Sequence, residues 1–412
     1  MKLDIDGIGK INHASIEINT ITVIAGENNT GKSTVGKVLY SVFKSFYNLD
    51  NKVKQFIHDR IERELDLGLQ NPFDDIYEND QTLSFMEYIL KNKDAILSIA
   101  DLKKIAEGYD IHKNFNCNFN NIFRYLKLTT QEIYDFVLQS NLEAEFGKQL
   151  KNFAFKSEES SVVLNVKGKE VKAIVTNELC NLTSKPFSFD RDIFYIDSPF
   201  LLDDIMFYSD SPISHRYETG YKIRRTLKKS SMENAVDALV TNKRLEKIYE
   251  KINSACSGSL MEKNRGFVYF DKEINSEMKM CNVSTGLKSF IILKTILSNG
   301  LLTDKGLLIL DEPEIHLHPE WQILFAEIIV LLQKEFNLHI LINSHSPYFI
   351  DAIDVYSKKY GIKDDVRFYL TEKVDIFSVN IADYSKNLEP IYKLLTRPLQ
   401  KLENERYGKL YE

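Results

Sequence analysis

Cysteine is scarce in this chain, at 4 among 412 residues, and none of Cys117, Cys180, Cys256 and Cys281 forms a C-x-x-C pair. That spacing argues against a disulfide-stapled scaffold and against a zinc knuckle. Long hydrophobic runs are missing too, since no stretch approaches the ~20 apolar residues that a membrane helix needs. The N-terminus lacks the charged-then-apolar pattern of a secretory signal and starts in a strand pattern, so a cytoplasmic protein without membrane partners is expected. Excess positive charge is also absent. A formal net charge of −6 disfavours coating nucleic acid by charge alone and leaves a local basic stripe as the route to DNA. No repeat period or low-complexity tract stands out.

What is present concentrates in a few places. Leu307 to Pro319 reads LLILDEPEIHLHP. Its four leading apolar residues, without polar alternation, predict a strand buried on both faces. Asp311 and Glu312 close that strand, and Pro313 forbids continuing the ladder. The two acids therefore fall at a strand's C-terminal edge, where α/β sheets bind ligands. One acid of such a pair can hold a magnesium ion while the other positions a water.

A phosphate to act on is implied at the other end of the chain. Gly26 to Ser33 reads GENNTGKS, a full match to G-x-x-x-x-G-K-[ST]. The β-branched run Thr20–Ile24 precedes it as a strand, and Val35, Val38, Leu39, Val42, Phe43 and Phe46 after it share one helix face. Gly26, Asn28, Asn29, Thr30 and Gly31 would let backbone N–H groups wrap phosphates at a helix N-terminus. Lys32 would reach the β- and γ-phosphates, Ser33 would offer its hydroxyl to Mg²⁺, and Thr34 would touch the α-phosphate. These residues predict binding of a nucleoside triphosphate.

The remaining pattern predicts short strands at Lys2–Ile5, His13–Ile18 and Ile21–Ile24, then a charged helical segment. Ser161–Val175 alternates around Lys167-Gly168-Lys169 as a hairpin, and Asp192–Asp197 is a buried strand. A second helical segment follows, then a hairpin over Ser259–Glu273 and a helix over Gly286–Leu297. Beyond the acidic strand come a helix over Glu320–Phe336, strands at Leu338–Ile342, Val366–Thr371 and Ile376–Ile381, and a last helix over Leu388–Lys401. The organisation expected is one α/β head made of residues 1–47, 159–200 and 257–412, interrupted by helical segments 48–158 and 201–256.

Two further motifs narrow the class. Ser284-Thr285-Gly286 precedes a helix, an anion site that a single chain with its own phosphate cradle does not need. Asn343-Ser344-His345-Ser346-Pro347 ends the strand after the acidic one, where a histidine can touch a γ-phosphate. In this order the motifs resemble those of the ABC-type ATPases. The wording D-E-P-E-I-H-L-H-P and N-S-H-S-P-Y-F-I is similar to the soluble SMC/RecF/OLD-related branch, over residues 1–45 and 280–350 and more thinly over 160–200.

That resemblance implies an α/β fold of the P-loop ABC-type ATPase head, a mixed sheet flanked by helices with large helical insertions. It implies ATP and Mg²⁺ as cofactors and hydrolysis of ATP, with Asp311 holding the ion through water, Glu312 as the base and His345 as the switch histidine. Ser284 and Gly286 would bind the γ-phosphate of a second copy in an ATP-dependent homodimer, with Lys288 as added charge and Glu314 to His318 facing the neighbour. His316 and His318 as metal ligands are the alternative. The pattern departs from the family at Leu287, where transporter ATPases place glutamine, and no glutamine follows Asp192–Asp197, leaving Asp197 or Ser198 in that place. No aromatic residue is marked out to stack the base.

The branch also suggests what the ATPase drives. OLD-type nucleases carry a TOPRIM domain with a glutamate and a D-x-D, and no such set follows His345. An effector encoded separately, such as an HNH or TOPRIM nuclease, is then the expected partner, as in the stand-alone ATPases of the Septu and PARIS antiviral defence systems. Asn387–Asn404 is the candidate docking element for it. A RecF/SMC-like DNA-repair clamp is the alternative, with Lys222–Lys229 as its basic cluster. A nucleotide-gated sensor with little turnover is the third.

Overall fold

The computed structural model describes residues 1–66, 80–109, 111, 117–152, 159–203, 214–228, 235–263 and 266–407. They group into two units, one of Met1–Tyr47, Leu138–Lys185 and Asp190–Glu412, the other of Asn48–Val137 and Pro186–Phe189.

The second unit is helical. Helices Leu49–Asp66, Asp80–Lys91, Ile99–Gly108 and Phe119–Leu126 bury Ile57, Ile61, Phe85, Ile89, Leu102 and Ile122 in a core of their own. Ser98 starts one of them with a capping box, its hydroxyl and the Asp101 carboxylate each satisfying the other's backbone N–H.

The first unit carries the sheet. Its strands are β1 (Lys2–Ile8), β2 (Ile11–Glu17), β3 (Ile21–Ala25), β4 (Glu159–Val166), β5 (Lys169–Thr176), β6 (Leu179–Leu182) and β7 (Ile193–Ile196). A small antiparallel sheet follows, of β8 (Ser259–Lys263), β9 (Gly266–Asp271) and β10 (Ser276–Lys279). Then come β11 (Leu307–Asp311), β12 (His339–Ser344), β13 (Arg367–Lys373) and β14 (Val379–Asp383). The large sheet runs β6-β5-β4-β1-β2-β14-β13-β3-β12-β11-β7. Its β13-β3-β12-β11-β7 block is parallel, while β1, β2, β4, β5 and β6 pair antiparallel. The expected mixed sheet flanked by helices is what folds, and the glycine-loop strand and the acidic strand lie in it with only β12 between them.

Alternation along the strands sorts the two faces. Leu308, Leu310, Ile340, Ile342, Val23 and Phe194 join a core with the helices Thr285–Ser298, Pro319–Phe336 and Pro347–Tyr360. Ile309 and Tyr195 point the other way, toward the helix Lys32–Phe46, whose Gly36 leaves them room: a Cβ there would stand 3.1 Å from the Tyr195 hydroxyl and 3.2 Å from Ile309.

Several elements differ from expectation. The last strand is β14 at Val379–Asp383, because the Asp375 carboxylate caps the N–H groups of Phe377 and Ser378 and turns 375–378 into a loop. β6 forms a second hairpin through Asn177 and Glu178, both at positive φ. Residues 138–152 belong with the sheet unit. The turn at 264–265, Lys229 and the side chain of Lys228 lie outside the described residues. No described helix is long and apolar enough to cross a membrane.

Candidate nucleotide site at the sheet edge

Register brings the motif residues together. In the parallel block Ala25 pairs with Ser344 and Asn343 pairs with Asp311. The next residues, Gly26, His345 and Glu312, therefore leave one sheet edge side by side. Leu370 pairs with Ala25 from the other side, which sets Thr371 against the loop. A Cβ on Gly26 would stand 1.9 Å from Thr371 Oγ1, so only glycine fits there. Asn29 and Gly31 take positive φ, 62° and 77°. Thr30 Oγ1 donates to the Glu27 carbonyl at 2.7 Å and accepts from Thr371 Oγ1 at 2.9 Å.

Lys32 is buried and curls back over this loop. Its Nζ donates to the carbonyls of Gly26 (3.1 Å) and Glu27 (2.8 Å) and lies 3.5 Å from Glu312 Oε1. The same oxygen lies 3.4 Å from His345 Nδ1. His345 holds the Glu312 carboxyl below its usual range, Lys32 adding to the effect, and Glu312 in turn raises the imidazole. Glu312 adopts φ 49°, a left-handed backbone that a residue other than glycine takes at a cost of about 1–3 kcal/mol. Its N–H donates to the Asn343 carbonyl at 2.9 Å.

Asp311 is buried at the end of β11. Tyr195 Oη donates to its Oδ2 and Asn343 Nδ2 to its Oδ1, both at 3.0 Å, and the Ser33 hydroxyl bonds the carboxylate as well. Burial pushes its pKa up, against those three donors. A hydroxyl and a carboxylate facing the glycine loop are hard oxygen donors of the kind Mg²⁺ takes beside a phosphate, and Ser33 with Asp311 fits that ion.

A cavity of about 460 Å³ opens at the loop. Asn29 to Thr34 and Glu312 line it, together with Lys10, Phe146 and Phe377. The two phenylalanines were not legible as site residues, because 146 and 377 meet the loop only through the fold. Ser284 and Gly286 are not among the lining residues. Ser284 caps its helix, accepting from Leu287 N at 3.4 Å, and a Cβ on Gly286 would stand 2.8 Å from the His316 carbonyl.

Three expectations change. Glu314 does not face outward: it is 1% exposed, and its Oε1 accepts from Ser344 Oγ (2.6 Å) and from the N–H groups of His345 and Ser346 (3.1 and 3.2 Å). Lys288 is buried against Asp203, with Nζ 2.8 and 2.5 Å from its oxygens, so its charge is neutralised within the chain. In the basic cluster, Lys222 pairs with Asp192 and Glu218, and Arg224 with Glu262. Among the described residues the group that could hold a metal ion is His58, Asp59 and Glu62, which includes neither His316 nor His318.

The family model described as "AAA domain, putative AbiEii toxin, Type IV TA system" matches residues 21–351. The chain belongs to that AAA-domain family. Its members are P-loop ATPases, and ATPases of this kind bind ATP with Mg²⁺. Among solved structures, this AAA-domain chain is similar to the SMC head domain from Thermotoga maritima, at 12% identity and TM-score 0.39, covering 93% of this chain and 97% of that one. It is also similar to an SMC head bound to the C-terminal winged-helix domain of ScpA (11%, TM-score 0.42, 93% and 96%). A third is the SMC head with an extended coiled coil bound to the C-terminal domain of ScpA derived from Pyrococcus furiosus (13%, TM-score 0.40, 98% of both chains).

Proposed function

We propose that this chain binds ATP with Mg²⁺ at Gly26–Thr34 and hydrolyses it. The observation that carries this reading is the meeting of Lys32 and His345 on one oxygen of Glu312. Lys32 leaves the carbonyls of Gly26 and Glu27 for the β- and γ-phosphates, while the loop's N–H groups cradle the charge. Ser33, and Asp311 through water, would hold the ion, which would neutralise charge on the phosphate oxygens. Glu312, kept ionised by His345 and Lys32, orients the attacking water and takes its proton. As the water oxygen bonds to the γ-phosphorus, the bond from that phosphorus to the bridging oxygen breaks and ADP leaves.

Ser284 and Gly286, away from the chain's own cavity, serve the nucleotide of a second copy in an ATP-dependent dimer of the ABC type. The dimer regulates a separately encoded effector in antiviral defence, a reading supported by the resemblance of its motifs to the stand-alone ATPases of such systems. The internal pairing of Lys222 and Arg224 weighs against the DNA-clamp alternative.

Glu312→Gln is expected to keep ATP affinity and lose turnover by roughly 10²–10⁴-fold; turnover equal to wild type would remove Glu312 as the base. With ATP, the same variant is expected to double its mass in light scattering, and Ser284→Arg to stay monomeric.

A further inference from the structure

Behind the sheet edge lies a buried arrangement that the reaction above does not use. Tyr195 is fully buried in β7. It pairs with Ile309 across the parallel β7–β11 ladder, and Asp311 is the next residue on that face. The tyrosine hydroxyl thus reaches Asp311 Oδ2 at 3.0 Å while Asn343 takes Oδ1.

The ring is itself held. His215 stacks on it, with centroids 4.0 Å apart and planes 19° from parallel. His215 is gripped at both nitrogens, Nδ1 2.6 Å from Glu145 Oε2 and Nε2 3.1 Å from Asp197 Oδ2. Its backbone N–H also donates to Glu145 Oε1 at 2.8 Å. Gly36 gives the hydroxyl room. Phenylalanine would fill the same space with no hydroxyl to satisfy, so packing does not account for a tyrosine here.

We propose that Tyr195 is a positioning residue for Asp311: its hydroxyl fixes the rotation of the carboxylate offered to magnesium, and the clamped His215 ring fixes the hydroxyl. The inference rests on the reading of Ser33 and Asp311 as the ion's site. Groups that hold a metal's ligand through one further hydrogen bond control affinity for the metal although they do not touch it. Without the hydroxyl, the carboxylate is held by Asn343 and Ser33 alone and its rotation is less tightly fixed. The magnesium-dependent part of nucleotide affinity then falls, while the part supplied by Lys32 and the glycine loop stays.

The test is binding of a fluorescent ATP analogue to the full chain, titrated with Mg²⁺ and repeated in EDTA. Tyr195→Phe is expected to need about 10-fold more Mg²⁺ for half-saturation, with its affinity in EDTA unchanged. In an Asp311→Asn background the same substitution is expected to add nothing. His215→Gln, which removes the stacked ring and leaves an amide N–H group able to donate to one of the two carboxylates, is expected to shift the Mg²⁺ requirement in the same direction by a smaller factor, and carries the test if Tyr195→Phe does not fold. An unchanged Mg²⁺ requirement in a folded variant overturns the proposal, as does an equal loss of affinity with Mg²⁺ and in EDTA, which is the mark of packing alone. Wild-type protein that binds no better with Mg²⁺ overturns this proposal together with the reading of the site; a magnesium-dependent wild type beside an unaffected Tyr195→Phe overturns this one only.

Discussion

The Glu314 carboxylate receives the Ser344 hydroxyl at 2.6 Å, and that bond ties the turn after β11 to the loop carrying His345. The same oxygen accepts two N–H groups of that loop, so one buried acid shapes the segment that presents the histidine. Glu314→Ala leaves the Ser344 hydroxyl and the His345 N–H without an acceptor, while the Ser346 N–H keeps Ser344 Oγ at 3.1 Å, and is expected to destabilise the fold by about 2–3 kcal/mol. Glu314→Gln keeps an acceptor oxygen and should cost less. Denaturant titration of both variants measures the difference, and equal midpoints would show that the loop holds its shape without Glu314.

His215 predicts a pH dependence of stability. Burial pulls its imidazole down, but the bonds to Asp197 and Glu145 outweigh it and raise the pKa to about 8 from an ordinary 6.5. The stabilisation from the charged ring is fully present below pH 6.5 and is lost as pH rises through 8. It amounts to something on the order of 2 kcal/mol. Asp197, held down to about 2 by His215 and Arg216 against its burial, adds stability above pH 3.8 that is lost as pH falls through 2. Denaturant midpoints at pH 6 and pH 9 should differ for wild type and converge for His215→Gln.

Gly26 and Thr371 form a steric pair. Gly26→Ala is expected to destabilise by about 1–3 kcal/mol through overpacking against Thr371 Oγ1 and to weaken ATP binding. Adding Thr371→Ala removes the closest atom and should restore part of both losses. A double variant no better than Gly26→Ala alone would place the strain elsewhere.

Lys288 and Asp203 are expected to couple. Lys288→Met leaves Asp203 unpaired and Asp203→Asn leaves a buried ammonium; each should cost more than the pair of changes together implies, with an interaction energy of about 2–3 kcal/mol in a double-mutant cycle. A coupling near zero would return Lys288 to the role of a free charge.

The parallel block was legible because its strands are continuous apolar runs, and the glycine loop and Asp311-Glu312 because their residue types suit so few other uses. The hairpin at Lys167-Gly168 was legible from its turn residues. β6 was not, because Glu178 at positive φ is no turn signal. The helix Pro347–Tyr360 was unforeseen although Ser346, Pro347 and Gly361 mark its ends. What could not be read at all depends on distant pairing. Nothing local says that Glu314 turns inward to Ser344, that Lys288 meets Asp203, or that Tyr195 reaches Asp311.

Glu312 has a further consequence through its backbone. At φ 49° a glycine would sit without strain, so Glu312→Gly is expected to be more stable than wild type, by up to about 1–3 kcal/mol before losses in contacts to Lys32 and His345. An inactive variant that melts higher than the parent would mean that drift toward loss of activity at this position is rewarded by the fold, and that only selection for turnover keeps a glutamate there.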